Sequence, residues 1–385
     1  MDFSLTEKQT HWQLVARNFA QNEVTPLARE MDESGKFYLP HVAKMAELGL
    51  LGGTIPKEYG GSAMDNLSLA LVYEEIGQAC SSVRGFMTVH SSLVMQCINQ
   101  WGDEAQKKKY LPKLASAEYI GCYCLTEPEA GSDAGSIQMR AEKVKGGYKL
   151  TGEKIWITNA LSAHLGIVFA KLPKNADEKP HSAITAFIVE MNSEGLDREP
   201  MPGSELGHRA SEHAHLYFND CFVPEANVLG GERNGFAVAM SALDHGRLGV
   251  AAGALGVHQA CLDASVDFVR SRKQFGQRIG DFEMVQSCIA EMKMTLEASR
   301  LLVYHAAWKK DQGLPSTLES SMAKLHATEA ALKAAGDAVL LHGGRGYSNE
   351  FPVERYYRDI KGLQIYEGTS FIQKIVIARH VVGKP

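Results

Sequence analysis

The sequence predicts an α+β protein in three parts: a helical N-terminal domain over 1–121, a β-barrel or β-sandwich domain over 122–232, and a C-terminal four-helix bundle over 233–385. Three observations predict it. Apolar residues recur at three-to-four spacing up to about residue 120; short apolar runs broken by Gly, Pro and Asn follow; two long stretches rich in Ala and Met come after about residue 231. A chain of 385 residues is long enough to bury cores of this number.

In the first part Leu14, Val15 and Phe19, then Val42, Met45 and Ala46, and then "LSLALVYEEIGQA" carry the helical period. Ser4 and Thr6 with Glu7 read as a helix start, and Gly52-Gly53 as a break. In the second, "GYKLTGEKIWITNA", "LGIVFAKL", "SAITAFIVE" and "AHLYFNDCFVP" read as strands. In the third, "GVAAGALGVHQACLDASVDFVRSR" and "MVQSCIAEMKMTLEASRLLVYHAAW" have apolar faces wide enough for a bundle that also forms a subunit interface.

Composition excludes several classes. A net charge of -5 without a basic stripe argues against a nucleic-acid surface. No apolar run approaches the ~20 residues of a membrane span. The start "MDFSLTEKQT" is neither an apolar signal nor an Arg-rich transit peptide, so a cytoplasmic chain is expected, or an organellar-matrix one if processed. The seven cysteines lack a Cys-x-x-Cys spacing and read as reduced, buried thiols, with Cys122 and Cys124 packed in a strand. His213 and His215 share a strand face, but only His208 lies near as a third ligand, so no metal site is expected.

Five short stretches carry chemistry. In "GLQIYEGTSFIQK" a lone acid, Glu367, stands among uncharged residues. It reads either as a desolvated general base or as a carboxylate at a helix start. In "CLTEPEAGSD", Thr126, Gly131 and Ser132 offer hydroxyls and an approachable backbone to an anionic or heteroaromatic ligand; a plain polar loop is the alternative. In "KIWITNA", strand alternation puts Trp156 and Thr158 on one face, where they support a flat ring or simply pack. Arg272 in "RSRKQFGQRIG" suits a phosphate, and Gly343-Gly344 in "LHGGRGYS" lets a pyrophosphate approach the backbone. A sixth stretch, "SALDHGRLG", puts Asp244 and Arg247 on one helical face.

These motifs, in this order and over nearly the whole chain, resemble the acyl-CoA dehydrogenase family. The resemblance implies a non-covalent FAD between the β domain and the C-terminal helices, a homotetramer, and electron-transfer flavoprotein as electron acceptor. It implies that Leu125, Thr126, Ser132, Ile157 and Thr369 contact the cofactor, with Trp156 and Thr158 beside the isoalloxazine near N5. Arg272 and Phe275 would reach the FAD of a neighbouring subunit, and Gly343 and Gly344 would lie along its adenosine end. Leu340, Glu283 and Phe371 depart from the family's common residues on that side.

For the substrate, the resemblance implies Glu367 as the base, with Ser132, Asp244, Arg247, Gly368 and Arg84 around the acyl-CoA. Some members carry the base on another helix, near Leu243 and Asp244, which leaves Asp244 a second candidate. Arg84 falls where glutaryl-CoA dehydrogenases hold a distal carboxylate; alternatively it pairs with Glu74 or Glu75. The expected activity is dehydrogenation of a short, branched or alicyclic acyl-CoA to the 2-enoyl-CoA, with a dicarboxylyl-CoA such as glutaryl-CoA as the alternative substrate. An acyl-CoA oxidase and a non-catalytic flavin or acyl-CoA binding protein are the rival classes.

Overall fold

The computed structural model describes residues 4–173 and 179–383. Its first part holds α1 (Glu7–Phe19), α2 (Ala28–Ser34), α3 (Pro40–Glu47), α4 (Asn66–Ala79), α5 (Ser81–Met87), α6 (Gln96–Trp101) and α7 (Glu104–Ala115). The start of α1 is set by Thr6, whose hydroxyl accepts from the Gln9 amide while the Gln9 side chain answers the Thr6 N–H. The reciprocal partner is therefore Gln9, three residues into the helix, and not Glu7. Between α5 and α6 the chain stays helical but widens to a π-helix over Thr88–Met95, a distortion that often accompanies functional sites.

The strands are β1 (Gly121–Cys124), β2 (Arg140–Val144), β3 (Gly147–Ile157), β4 (Leu165–Lys171), β5 (Ile184–Glu190), β6 (Leu196–Pro200), β7 (Ala214–Pro224) and β8 (Val228–Leu229). They form one sheet in the order β6-β7-β3-β2-β4-β5-β8, with β1 parallel to β4. Alternation along β4 sends Ile167 and Phe169 to one core and Val168 and Ala170 to another. The second core also takes Tyr148, Leu150, Leu216 and Phe218 from β3 and β7. The sheet thus folds over so that β3–β7 and β4–β5 enclose a common apolar layer, which is the sandwich-like arrangement expected.

The chain then forms α8 (Gly235–Ser271), a hairpin of β9 (Lys273–Gln274) and β10 (Gln277–Arg278), and the helices α9 (Glu283–Asp311), α10 (Thr317–His342), α11 (Val353–Ile365) and α12 (Ser370–Val382). The helices before and after the sheet share one core, in which Leu69, Val72 and Ile76 of α4 meet Val250, Leu255 and Val257 of α8. Each such side chain contributes about 1.5–3 kcal/mol. Close approach requires glycine: a Cβ on Gly77 would lie 2.8 Å from the Gly253 carbonyl. Any larger residue there would force α4 away from α8.

Among the described residues no helix is long and apolar enough to cross a membrane. All seven cysteines are free, and all but Cys288 are buried. His213 and His215 bond different carboxylates, Glu205 at 2.8 Å and Glu153 at 3.0 Å.

Candidate active site

Four residues join α11 to α12, and they contain Glu367. Thr369 is the N-cap of α12, its hydroxyl accepting from the Ile372 amide at 3.4 Å. The helix-start role considered for Glu367 therefore belongs to Thr369. Glu367 and Gly368 both adopt left-handed backbone, φ +56° and +90°. For a non-glycine residue this costs on the order of 1 kcal/mol, and such strain clusters at functional sites. Two buried side chains hold the turn. Gln373 Nε2 donates to the carbonyls of Glu367 (3.3 Å) and Gly368 (2.8 Å), and Lys324 Nζ of α10 donates to Gly368 at 2.5 Å.

The Glu367 carboxylate points into a desolvated space. Its Oε2 is fully buried and has no hydrogen-bond partner. Burial pushes the carboxyl up to about 7, against the opposing pull of Lys324, Arg84 and Arg247. Gly246 of α8 lies directly against it, since a Cβ there would overlap Oε2 and come within 2.9 Å of Leu93 Cδ2.

Arg84 is 1% exposed. It donates to Thr88 Oγ1 at 3.1 Å and to the Tyr366 hydroxyl, and its Nε is unpaired. It does not pair with Glu74 or Glu75, which bind Arg300 at 2.6 Å and Arg17 at 2.7 Å. The alternative of a simple helix ion pair is thereby removed. Arg247 is buried and bonded to Asp244 at 2.5 Å, while the other Asp244 oxygen accepts from Thr317 at 2.7 Å. Both oxygens of Asp244 are thus engaged, and the α8 position facing Glu367 is Gly246. As a second base Asp244 is misplaced.

On the sheet side, the loop carrying Leu125 and Thr126 is pinned to β3. Lys154, fully buried, donates to the Leu125 carbonyl at 3.0 Å and pairs with Glu127 at 2.7 Å; Ile155 N–H donates to the Thr126 carbonyl at 3.0 Å. The next residue, Trp156, does not continue simple alternation with Thr158. It has φ +58° within an irregularity of the β3–β7 register between Lys154 and Ile157, and Thr158 follows the strand end. The bulge leaves the indole 51% exposed, its ring 6.3 Å from that of His213. His208 packs edge-on to Tyr366 at 5.6 Å, so the segment between β6 and β7, which also carries His213, adjoins the base turn.

At the far end of the bundle, Phe268 of α8 stacks on His342 of α10 at 4.2 Å. That contact puts the segment holding Arg272 beside Gly343-Gly344. Gly131, Gly343 and Gly344 all have open space where a side chain would stand. Ser132, Arg272 and Phe275 are exposed, Phe275 at 94% with φ +50° at the β9–β10 turn. These features fit a flavin dinucleotide: an uncovered indole and hydroxyl for the ring, open glycine backbone and an arginine for a pyrophosphate.

Lys324, Gln373 and Gly246 were not singled out from the sequence. Lys324 left a trace, because it falls in the row of small residues Ser320, Ala323, Ala327, Thr328 and Ala331 that α10 buries.

Known proteins agree with this architecture. The chain matches the acyl-CoA dehydrogenase N-terminal domain over 6–118, the middle domain over 122–221 and the C-terminal domain over 233–382. It is 41% identical to a short-chain specific acyl-CoA dehydrogenase of Clostridium acetobutylicum, covering 98% of this chain and 99% of that one. A glutaryl-CoA dehydrogenase solved with glutaryl-CoA superimposes with a TM-score of 0.94 at 37% identity, covering 100% and 98% of the two chains. The FAD complex of PigA gives a TM-score of 0.95 at 29% identity, both chains covered in full. The chain belongs to the acyl-CoA dehydrogenase family of FAD-dependent oxidoreductases.

Proposed function

We propose that this protein dehydrogenates a short, branched or alicyclic acyl-CoA at Cα–Cβ, with Glu367 as the general base. The observation that carries the reading is the buried, unpaired Oε2 of Glu367 with its carboxyl raised to about 7. A base poised near working pH combines adequate ionisation with adequate proton affinity. Glu367 takes the α-proton, and its backbone N–H, on a turn held by Gln373 and Lys324, is available to bond the thioester oxygen as negative charge develops there. FAD supplies the acceptor for the β-hydride. The product is the trans-2-enoyl-CoA.

Leu125, Thr126, Ser132, Trp156, Ile157, Thr158 and Thr369 would hold the flavin, and Gly343 and Gly344 would lie along the adenosine end of a neighbouring subunit's FAD. Arg272 and Phe275 would serve a neighbouring subunit of a homotetramer, which accords with the 94% exposure of Phe275. Electron-transfer flavoprotein would reoxidise the cofactor. Ser132, Gly368, Arg247 and its partner Asp244 would contact the CoA thioester.

Glu367→Gln keeps shape and hydrogen bonding but removes the base. Flavin content should be retained while anaerobic flavin reduction by acyl-CoA falls ~10²–10⁴-fold or more. Reduction at the original rate would remove Glu367 from the mechanism.

One observation favours a second substrate reading. Arg84 is buried near Glu367 with only hydroxyl partners and an unpaired Nε, and a buried cation without an anion is costly. A distal carboxylate of a dicarboxylyl-CoA would complete it. If so, glutaryl-CoA should bleach the flavin faster than butyryl-CoA, and Arg84→Met should reverse that order; equal rates with both thioesters in the unaltered protein would dismiss the reading.

A further inference from the structure

Lys324 is among the largest side chains that the fold buries almost completely, at 1% exposure. Lysine is rarely placed so deep without a paired anion. Among the described residues its Nζ makes one hydrogen bond, donated to the Gly368 carbonyl at 2.5 Å. An ammonium has three protons to place. The charge facing it is the carboxylate of Glu367, with the Arg247 guanidinium as a repelling neighbour. The mechanism so far uses this side chain only to hold the base turn, and not its charge.

Three cations face Glu367: Lys324 from α10, Arg84 from α5 and Arg247 from α8. The phenols of Tyr73 on α4, Tyr123 on β1 and the adjacent Tyr366 also lie in its field. Burial keeps those phenols protonated, so they bring no charge. Arg247 is already answered by Asp244, and Arg84 is tied to Thr88 and Tyr366. Only Lys324 among the three also bonds the backbone of the turn that carries the base.

We propose that Lys324 is a positioning residue for Glu367, holding the base turn by the Gly368 carbonyl and setting its positive charge against the carboxylate. The proposal rests on Glu367 being the base. Its two parts separate chemically. The hydrogen bond limits where the carboxylate can go, which governs the maximal rate; the charge favours the ionised carboxylate, which governs the pH at which the base becomes competent. Burial pushes Lys324 itself down to about 7. Lys324 therefore loses its own proton more readily once Glu367 has been protonated and its negative charge removed.

The test measures anaerobic flavin reduction by butyryl-CoA against pH in the FAD-loaded protein, for Lys324→Met, Lys324→Gln and Glu367→Gln. Lys324→Met should move the acid limb up by ~1 pH unit, about tenfold in rate below the midpoint, and should also lower the plateau at high pH. Lys324→Gln, neutral but still able to donate to the Gly368 carbonyl, should move the limb equally while keeping more of the plateau. Unchanged midpoints in both variants overturn the proposal, whatever happens to the plateau. If Lys324→Met fails to fold or to hold FAD, the midpoint of Lys324→Gln decides alone. Glu367→Gln separates the premises: near-normal reduction there removes the base assignment, whereas abolished reduction with unmoved Lys324 midpoints removes only the role of Lys324.

Discussion

Replacing Gly246 by alanine tests the active-site geometry with a single methyl group. A Cβ at that position would overlap Glu367 Oε2 and lie 2.9 Å from Leu93 Cδ2, so something must yield. The base turn cannot retreat easily, because Lys324 and Gln373 hold its carbonyls. The carboxylate must instead swing, on the order of 1–2 Å to regain ordinary contact, and a misplacement of ~1 Å at a reacting group costs ~10²-fold in rate. Stability should change far less. Gly→Ala inside a helix gains ~1 kcal/mol, which offsets part of the ~1–3 kcal/mol expected for overpacking and leaves a net cost of at most ~2 kcal/mol. Gly246→Ala should therefore unfold within a few degrees of the parent and retain its flavin, yet reduce that flavin ~10²-fold more slowly at saturating acyl-CoA. Stopped-flow flavin bleaching and a thermal scan on the same preparation give both readings. Unaltered reduction in a fully flavinated variant would mean that the working carboxylate does not lie against Gly246, and the site described above would be wrong.

Three further outcomes are expected. Because the Glu367 carboxyl is raised to about 7, the second-order rate of flavin reduction should climb about tenfold per pH unit below that midpoint and level off above it; a midpoint near the ordinary 4.5 would contradict the desolvated base. The sign for stability is opposite, since a raised carboxyl favours the folded state at low pH and that contribution is lost as pH rises through the same window. Glu127→Ala strands the fully buried Lys154 without its counter-ion and should cost about 3–5 kcal/mol in chemical denaturation and loosen the Leu125–Thr126 loop, seen as weaker FAD retention; an unchanged midpoint with unchanged flavin content would show that the pair is dispensable. Met284, Leu340, Tyr347 and Phe371 are each at least 75% exposed on the C-terminal helices and their loops, so light scattering should find an oligomer; a monomer with full flavin content would refute the subunit-boundary cofactor.

What the sequence determined by itself is whatever depends on near neighbours. Helical period against strand alternation separated the helical, sheet and helical parts, since each element's buried face is written in its own residues. The isolation of Glu367 among mostly uncharged neighbours singled it out but left a desolvated base and a helix-start carboxylate both open, because burial is set by segments that the local sequence does not contain. Tertiary structure alone decided which side chains meet. Arg84, Glu74 and Glu75 all lie on the paired helices α4 and α5, yet Glu74 is taken by Arg300 and Glu75 by Arg17, 226 and 58 residues away, leaving Arg84 for the site. Asp244 and Gly246 are two residues apart on α8, and the rotation of that helix against α4 put the glycine, not the acid, in front of Glu367. Trp156 reads as an ordinary strand residue, and its left-handed bulge appears only once β3 has been paired with β7. Lys324 falls in the buried row of α10, but nothing in that row says that it meets the base turn until α10 packs against it. In each case the deciding quantity is a contact between distant segments, whose energy depends on packing and shared burial and leaves no period or local composition in the chain.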